Sequence, residues 1–183
     1  LNLNFDYAVY LDSPGPKFLS DSFLFKDRFI ETVNHTYPSL NKFFKHIEKK
    51  LKLKVVVAAH PKTKIKDKSS LFDYRKVFSG RTMELIKNSK LVITRTSTAI
   101  SFAANYKKPI IFFYTDETFN EEPHRISAHL SNSFKLKKIN INKFNEINLN
   151  NIIKFDRRSY DNYLYNFCTF KNGLRGKTWI NDR

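Results

Sequence analysis

Apolar residues fall along this chain in two kinds of run. Tyr7–Leu11, Lys54–Ala59, Leu91–Thr94 and Ile110–Tyr114 are short, continuous and rich in β-branched and aromatic residues. Such runs suit strands covered on both faces, as in a parallel sheet, because a strand with one wet face would alternate. Elsewhere the apolar positions take helical spacing. Leu40, Phe43, Phe44, Ile47 and Leu51 predict a helix starting at Ser39, or at Thr36 before Pro38. Ala99, Ile100, Phe102, Ala103 and Ala104 predict a helix of about three turns. Thr82 is the expected N-cap of a short helix over Met83–Asn88, and Tyr160, Tyr163, Leu164 and Phe167 mark an amphipathic helix over 157–170, ended by Lys171–Gly176.

The weaker stretches fill the gaps. Tyr74–Phe78 and Leu136–Ile141 read as short strands, Asn140–Asn151 as loop with a weak helix, and Lys64–Ser70 as a basic surface loop. Ser20–Val33 is irregular or briefly helical, and Thr115–Leu130 passes from acidic to basic in the order a helix dipole prefers. Strand, helix and strand in succession make right-handed crossovers. The expected fold is therefore α/β: a Rossmann-like parallel sheet with helices on both faces, one domain over 1–183, with 152–183 a C-terminal helical extension.

Composition agrees with this and adds charge. A length of 183 residues fits one domain with a good core. With 33 Lys+Arg against 17 Asp+Glu the net charge is +16, which favours anionic partners. Much of that surplus is lysine mixed with asparagine, isoleucine and phenylalanine, as an AT-rich coding bias would also give, so it weighs little for nucleic acid. The single cysteine, Cys168, excludes an internal disulfide and a cysteine metal cluster, and fits a reducing compartment. No apolar run reaches the roughly 20 residues that span a bilayer, and the opening Leu-Asn-Leu-Asn lacks signal-peptide features. Without an initiator methionine, the chain is expected to be a fragment of a longer protein.

Candidate chemistry collects at the strands' carboxyl ends, where doubly wound sheets bind ligands. After the first strand Asp12-Ser-Pro-Gly-Pro16 forces a loop that presents Ser13 and Gly15. After the second, Pro61 holds His60 extended, with Lys62 beside it. After the strand at Leu91, Thr94-Arg-Thr-Ser-Thr98 sets Thr96, Ser97 and Thr98 at a helix start, where backbone N–H groups suit an anion. Arg81 and Arg95 stand near turns on the same edge and could fork onto phosphate oxygens. Each also has a plain structural reading: Thr96 or Ser97 as a helix cap, His60-Pro61 as a turn. If the His60 and Ser97 strands are neighbours, the groups meet as a phosphate site. No Gly-x-Gly-x-x-Gly and no Gly-Lys-Ser/Thr loop is present, against a dinucleotide oxidoreductase or a P-loop NTPase.

Val55-Val-Val-Ala-Ala-His-Pro61, Ser79-Gly-Arg-Thr82, Glu84 through Thr94, Ser97-Thr-Ala-Ile-Ser-Phe-Ala103 and Lys107-Lys-Pro-Ile-Ile-Phe112 together resemble the C-terminal, donor-binding half of GT-B glycosyltransferases. The likeness is greatest to bacterial sialyltransferases, polysialyltransferases and related capsule or surface-carbohydrate enzymes, and spans roughly 7–115. CDP-glycerol transferases and sugar-nucleotide epimerases have similar layouts. The resemblance implies that His60 with Pro61, and Ser97 with Thr98, hold the phosphate of a CMP-activated sugar. It implies a nucleotide-sugar donor and a glycan acceptor as partners, and an N-terminal half, outside this chain, that carries the catalytic base. It implies metal-independent chemistry without a cofactor, matching the absence of an Asp-x-Asp motif, and a cytoplasmic enzyme able to associate peripherally with the inner membrane face. The last helix would then pack at the surface against that other half, leaving its tyrosines more exposed than core residues.

Two other classes stay open. A basic nucleic-acid-binding domain would use the charge as a phosphate track and the aromatics for stacking, but those aromatics fall at core spacing. A non-catalytic interaction module of polysaccharide assembly would keep the fold without the reaction.

Overall fold

The computed structural model describes residues 3–13, 32–61, 69–118, 122–153 and 155–168. Its elements are β1 (Tyr7–Leu11), α1 (Val33–Leu51), β2 (Lys54–Ala58), β3 (Val77–Phe78), α2 (Thr82–Asn88), β4 (Leu91–Thr94), α3 (Ile100–Asn105), β5 (Ile110–Tyr114), α4 (Glu122–Ser133), β6 (Ile139–Asn140), α5 (Leu149–Ile152) and α6 (Arg157–Cys168). Short 3₁₀ segments lie at Ser70–Phe72, Asp116–Thr118 and Ile141–Glu146. The six strands form one sheet in the order β3-β2-β1-β4-β5-β6, and every pairing is parallel. This is the doubly wound, Rossmann-like arrangement: the chain builds outward from β1 to β3, then returns to the other side of β1 and builds outward again.

The continuous apolar runs are explained by two buried faces. Val9, Leu11, Val56, Ala58, Val92, Ile110 and Phe112 pack in one layer with Leu85 and Ile86 of α2, Ala103 and Ala104 of α3, and Tyr160 and Leu164 of α6. Ala8, Tyr10, Val55, Val57, Leu91, Ile93, Ile111 and Phe113 pack in the other with Leu40, Phe43, Phe44 and Ile47 of α1. Phe43, Phe44 and Ile47 are wholly buried, each contributing about 1.5–3 kcal/mol by area. The same α1 holds the β3 side through Arg75, whose Nε and Nη2 donate to Glu48 at 3.0 and 2.8 Å while Nη1 donates to Asn41 Oδ1. A two-pronged pair that is largely desolvated keeps its geometry where a surface pair would not.

Several elements depart from the sequence reading. The strands expected over Tyr74–Phe78 and Leu136–Ile141 shrink to two residues each, at the sheet's two edges. The helix expected to run about three turns is the six-residue α3. It starts late, after a tight turn in which Ile100 N–H donates to the Ser97 carbonyl. It ends early because Lys107, at φ 52°, reverses the chain toward Pro109. Left-handed lysines also follow α1 (Lys52, φ 57°) and α4 (Lys135, φ 55°). The stretch 169–176, expected to close the last helix, and most of 20–33 lie outside the described residues.

Of the tyrosines of α6, expected to be exposed, Tyr160 and Tyr163 are buried, at 0% and 7% accessible, and Tyr165 is exposed, as is Phe167. Tyr160 and Tyr163 stand over Phe134, with ring centroids 4.9 and 4.2 Å away, and so roof the sheet themselves. The Tyr160 hydroxyl donates to the Lys108 carbonyl at 3.0 Å, and Lys107 pairs with Asp161.

The largest local surprise is the start of α1. It begins at Val33, ahead of both expected caps, and passes through Pro38. Its first turn is closed by a carboxylate from far along the chain: Glu117 accepts from the Thr32 N–H at 3.2 Å, the Thr32 hydroxyl at 2.9 Å and the Thr36 hydroxyl at 3.4 Å, and His35 Nδ1 lies 3.2 Å away. An anion at a helix N-terminus satisfies orphan N–H donors and opposes the dipole. Glu117→Ala should therefore lower the unfolding free energy by about 1–2 kcal/mol in chemical denaturation, with Glu117→Gln losing less. Wild-type stability in both variants would show that α1 starts there without it.

Candidate functional site

Parallel pairing brings the carboxyl ends of β1, β2 and β4 to one edge. The sequence reading made the His60 and Ser97 strands conditional neighbours, but β1 lies between β2 and β4. Strands two apart in a sheet are separated by roughly 10 Å. His60 and Ser97 thus flank the end of β1, at the place where the strand order reverses.

A cavity of about 750 Å³ opens there, lined by Leu11 and Asp12 of β1 and its exit, Ala58 to Pro61 after β2, Thr82, and Thr96 to Ala99 with Ser101 after β4. Leu130, Tyr163, Phe167 and Cys168 of α4 and α6 close the far side. The volume lies in the range of small-molecule sites, about 300–1,000 Å³. His60, Pro61, Thr96, Ser97 and Thr98 are therefore brought to one cavity. Ser97 also closes a turn ahead of α3, since its hydroxyl accepts the Ala99 N–H at 3.3 Å; the N-cap of α3 is Ala99, not the expected Thr96 or Ser97. The Ser97 contact uses the oxygen and leaves the hydroxyl proton able to donate. Ser101 donates to the Thr98 carbonyl at 3.1 Å, which stiffens the same turn. With α3 only six residues long, individual N–H and O–H donors matter here more than a macrodipole.

The other expected residues are placed differently. Arg95 is only 6% accessible, and its Nη2 donates to Ser13 Oγ at 3.0 Å. Neither lines the cavity. Burial, and next the Asp12 charge, push the Tyr10 hydroxyl's pKa upward, while Arg95 and the Ser13 hydrogen bond act the other way. Tyr10, Asp12, Ser13 and Arg95 thus form a polar group beneath the edge, and Tyr10 stays neutral. Arg81 is exposed on the approach to α2, 3.5 Å from Glu84. Lys62 and Gly15 lie outside the described residues.

Asp12 is the residue that the sequence reading passed over. It is 6% accessible, lines the cavity, and its Oδ2 accepts the His60 N–H at 3.3 Å. One carboxylate thereby ties the exit of β1 to the His60-Pro61 turn. The available signal was an acidic residue directly after a buried strand, at the point where such sheets bind ligands. Burial pushes the Cys168 thiol pKa up, which favours its protonated form. Among the described residues no three His, Cys, Asp or Glu side chains gather as metal ligands, and no helix is long and apolar enough to cross a membrane.

No protein-family model matches the chain, and no curated protein sequence matches it. Among solved structures it is similar to the UDP-GlcNAc 2-epimerase of Methanocaldococcus jannaschii, determined in complex with UDP-GlcNAc and UDP. The two share 13% identity at a TM-score of 0.45, over 87% of this chain and 44% of that one. The chain thus spans less than half the length of the epimerase it resembles.

Proposed function

We propose that this chain is the donor-binding domain of a sugar-nucleotide enzyme, a glycosyltransferase of the GT-B type that uses a CMP-activated sugar in bacterial surface-polysaccharide or lipooligosaccharide synthesis. The observation that carries the reading is the cavity at the strand-order reversal, where His60-Pro61 and Thr96-Ser97-Thr98 face one space across the end of β1. Hydroxyl and backbone donors there suit a phosphate, and the +16 charge draws anions toward the molecule. In this reading the catalytic base and the glycan-acceptor site come from another half of the enzyme, the reaction needs no metal, and the protein works at the cytoplasmic membrane face.

Calorimetry with CMP and UDP is the test. His60→Ala and Ser97→Ala should each weaken nucleotide binding by about 1–3 kcal/mol, the range for one lost hydrogen bond to a charged group. EDTA should leave binding unchanged. Unchanged affinity with a lowered melting temperature would mean that both residues are structural and would remove the reading's main support. Steeply salt-dependent binding of any polyanion, without preference for a nucleotide, would favour the nucleic-acid alternative instead.

Ser13→Ala should behave in the opposite way. Removing a hydrogen-bond partner of buried Arg95 should cost about 1–3 kcal/mol of stability and leave CMP affinity near that of the wild type. A selective loss of CMP binding with normal stability would place Ser13 at the ligand.

A further inference from the structure

The cavity has two unlike sides. Toward β2 and β4 it offers hydroxyls and the His60-Pro61 turn, whereas toward α4 and α6 the described lining residues are Leu130, Tyr163, Phe167 and Cys168. The aromatic side is ordered in depth. Phe134 is buried at 1% accessibility, Tyr163 stacks on it at 4.2 Å with rings 30° apart, and Phe167 lies 5.1 Å beyond Tyr163 at 34°. The row ends in an open ring, since Phe167 is 66% accessible. A phenylalanine needed for packing would be turned inward, as Phe134 is. Instead this one is held at the rim of a cavity by a helix that Tyr160 and the Lys107–Asp161 pair fasten to the turn before β5.

We infer that Phe167, backed by Tyr163, is the platform on which the base of a bound nucleotide stacks, its phosphate lying toward Thr96–Thr98. This rests on the nucleotide-binding reading above and assigns that nucleotide's orientation. A wall of this composition suits a planar ring, whose face needs no hydrogen bonds. It suits a sugar less, because the hydroxyls of a sugar would lose water there without gaining partners. Stacking tolerates any base, so selection between cytosine and uracil must come from groups other than this wall.

The test titrates the full chain with CMP and with ribose 5-phosphate, which keeps the sugar and phosphate but lacks the base. Phe167→Ala should weaken CMP about tenfold, by the usual worth of one base–aromatic stack. It should leave ribose 5-phosphate as it binds the wild type, and Phe167→Tyr should restore CMP. Ser97→Ala should weaken both ligands alike. Saturation-transfer NMR gives a second reading: the cytosine H5 and H6 signals should dominate in the wild type and fall relative to the ribose protons in Phe167→Ala. If Ser97→Ala weakens CMP while Phe167→Ala changes neither its affinity nor that proton pattern, the platform is wrong and the phosphate site stands. If Phe167→Ala weakens ribose 5-phosphate as much as CMP, the ring meets the sugar and the base assignment fails. If the wild type binds no nucleotide, both readings fall together.

Discussion

Everything in this molecule is hung on β1. It is the one strand that pairs with both halves of the sheet, β2 on one side and β4 on the other, and both its faces are buried. Neighbouring pairings run on past its ends: Lys54 N–H reaches the Asp6 carbonyl, Lys90 N–H the Tyr7 carbonyl, and Asp12 N–H the Ala58 carbonyl. Because the chain must leave β1 toward one side and later return to the other, the helices on either side diverge above its carboxyl end. The cavity is a consequence of that topology. Its polar side is made by residues that stand where three strands run out, and α4 and α6 close the other side.

The strands could be read directly from residues 7–11, 54–58, 91–94 and 110–114, because burial on both faces writes the same apolar signal whatever the neighbours are. The order of those strands could not, since nothing local to His60 or Ser97 says that Tyr7–Leu11 inserts between them. Nor could the start of α1, whose cap, Glu117, comes from another part of the chain, while the local sequence around Pro38 argued for a later start. The polarity of Arg95 and Ser13 pointed to a ligand, yet Arg95 turns below the surface and donates to Ser13 there. Residue type alone does not reveal which way a side chain turns. The His60-Pro61 and Thr96–Thr98 segments were legible for the opposite reason: a strand ending in a turn fixes which edge its next residues occupy.

Charge is distributed by the same logic. Glu48, Glu117 and Asp161 are engaged by Arg75, by the start of α1 and by Lys107. Acidic residues are scarce, 17 against 33 basic ones, which leaves a net charge of +16. The fold therefore keeps a positive potential around itself, and of these contacts the part-buried Arg75–Glu48 pair is screened less by added salt than the exposed Lys107–Asp161 pair.

The left-handed lysines bear on how such a sequence can change. Lys52, Lys107 and Lys135 each follow a helix and precede β2, β5 or β6, so in a parallel sheet all three sit on the amino edge, opposite the cavity. A side chain in that backbone region costs about 1 kcal/mol relative to glycine, and the chain has only 4 glycines. These left-handed lysines thus stand on the edge away from the cavity. A sequence rich in lysine and poor in glycine can absorb such substitutions there, and its stability can change without the edge that holds the cavity being disturbed.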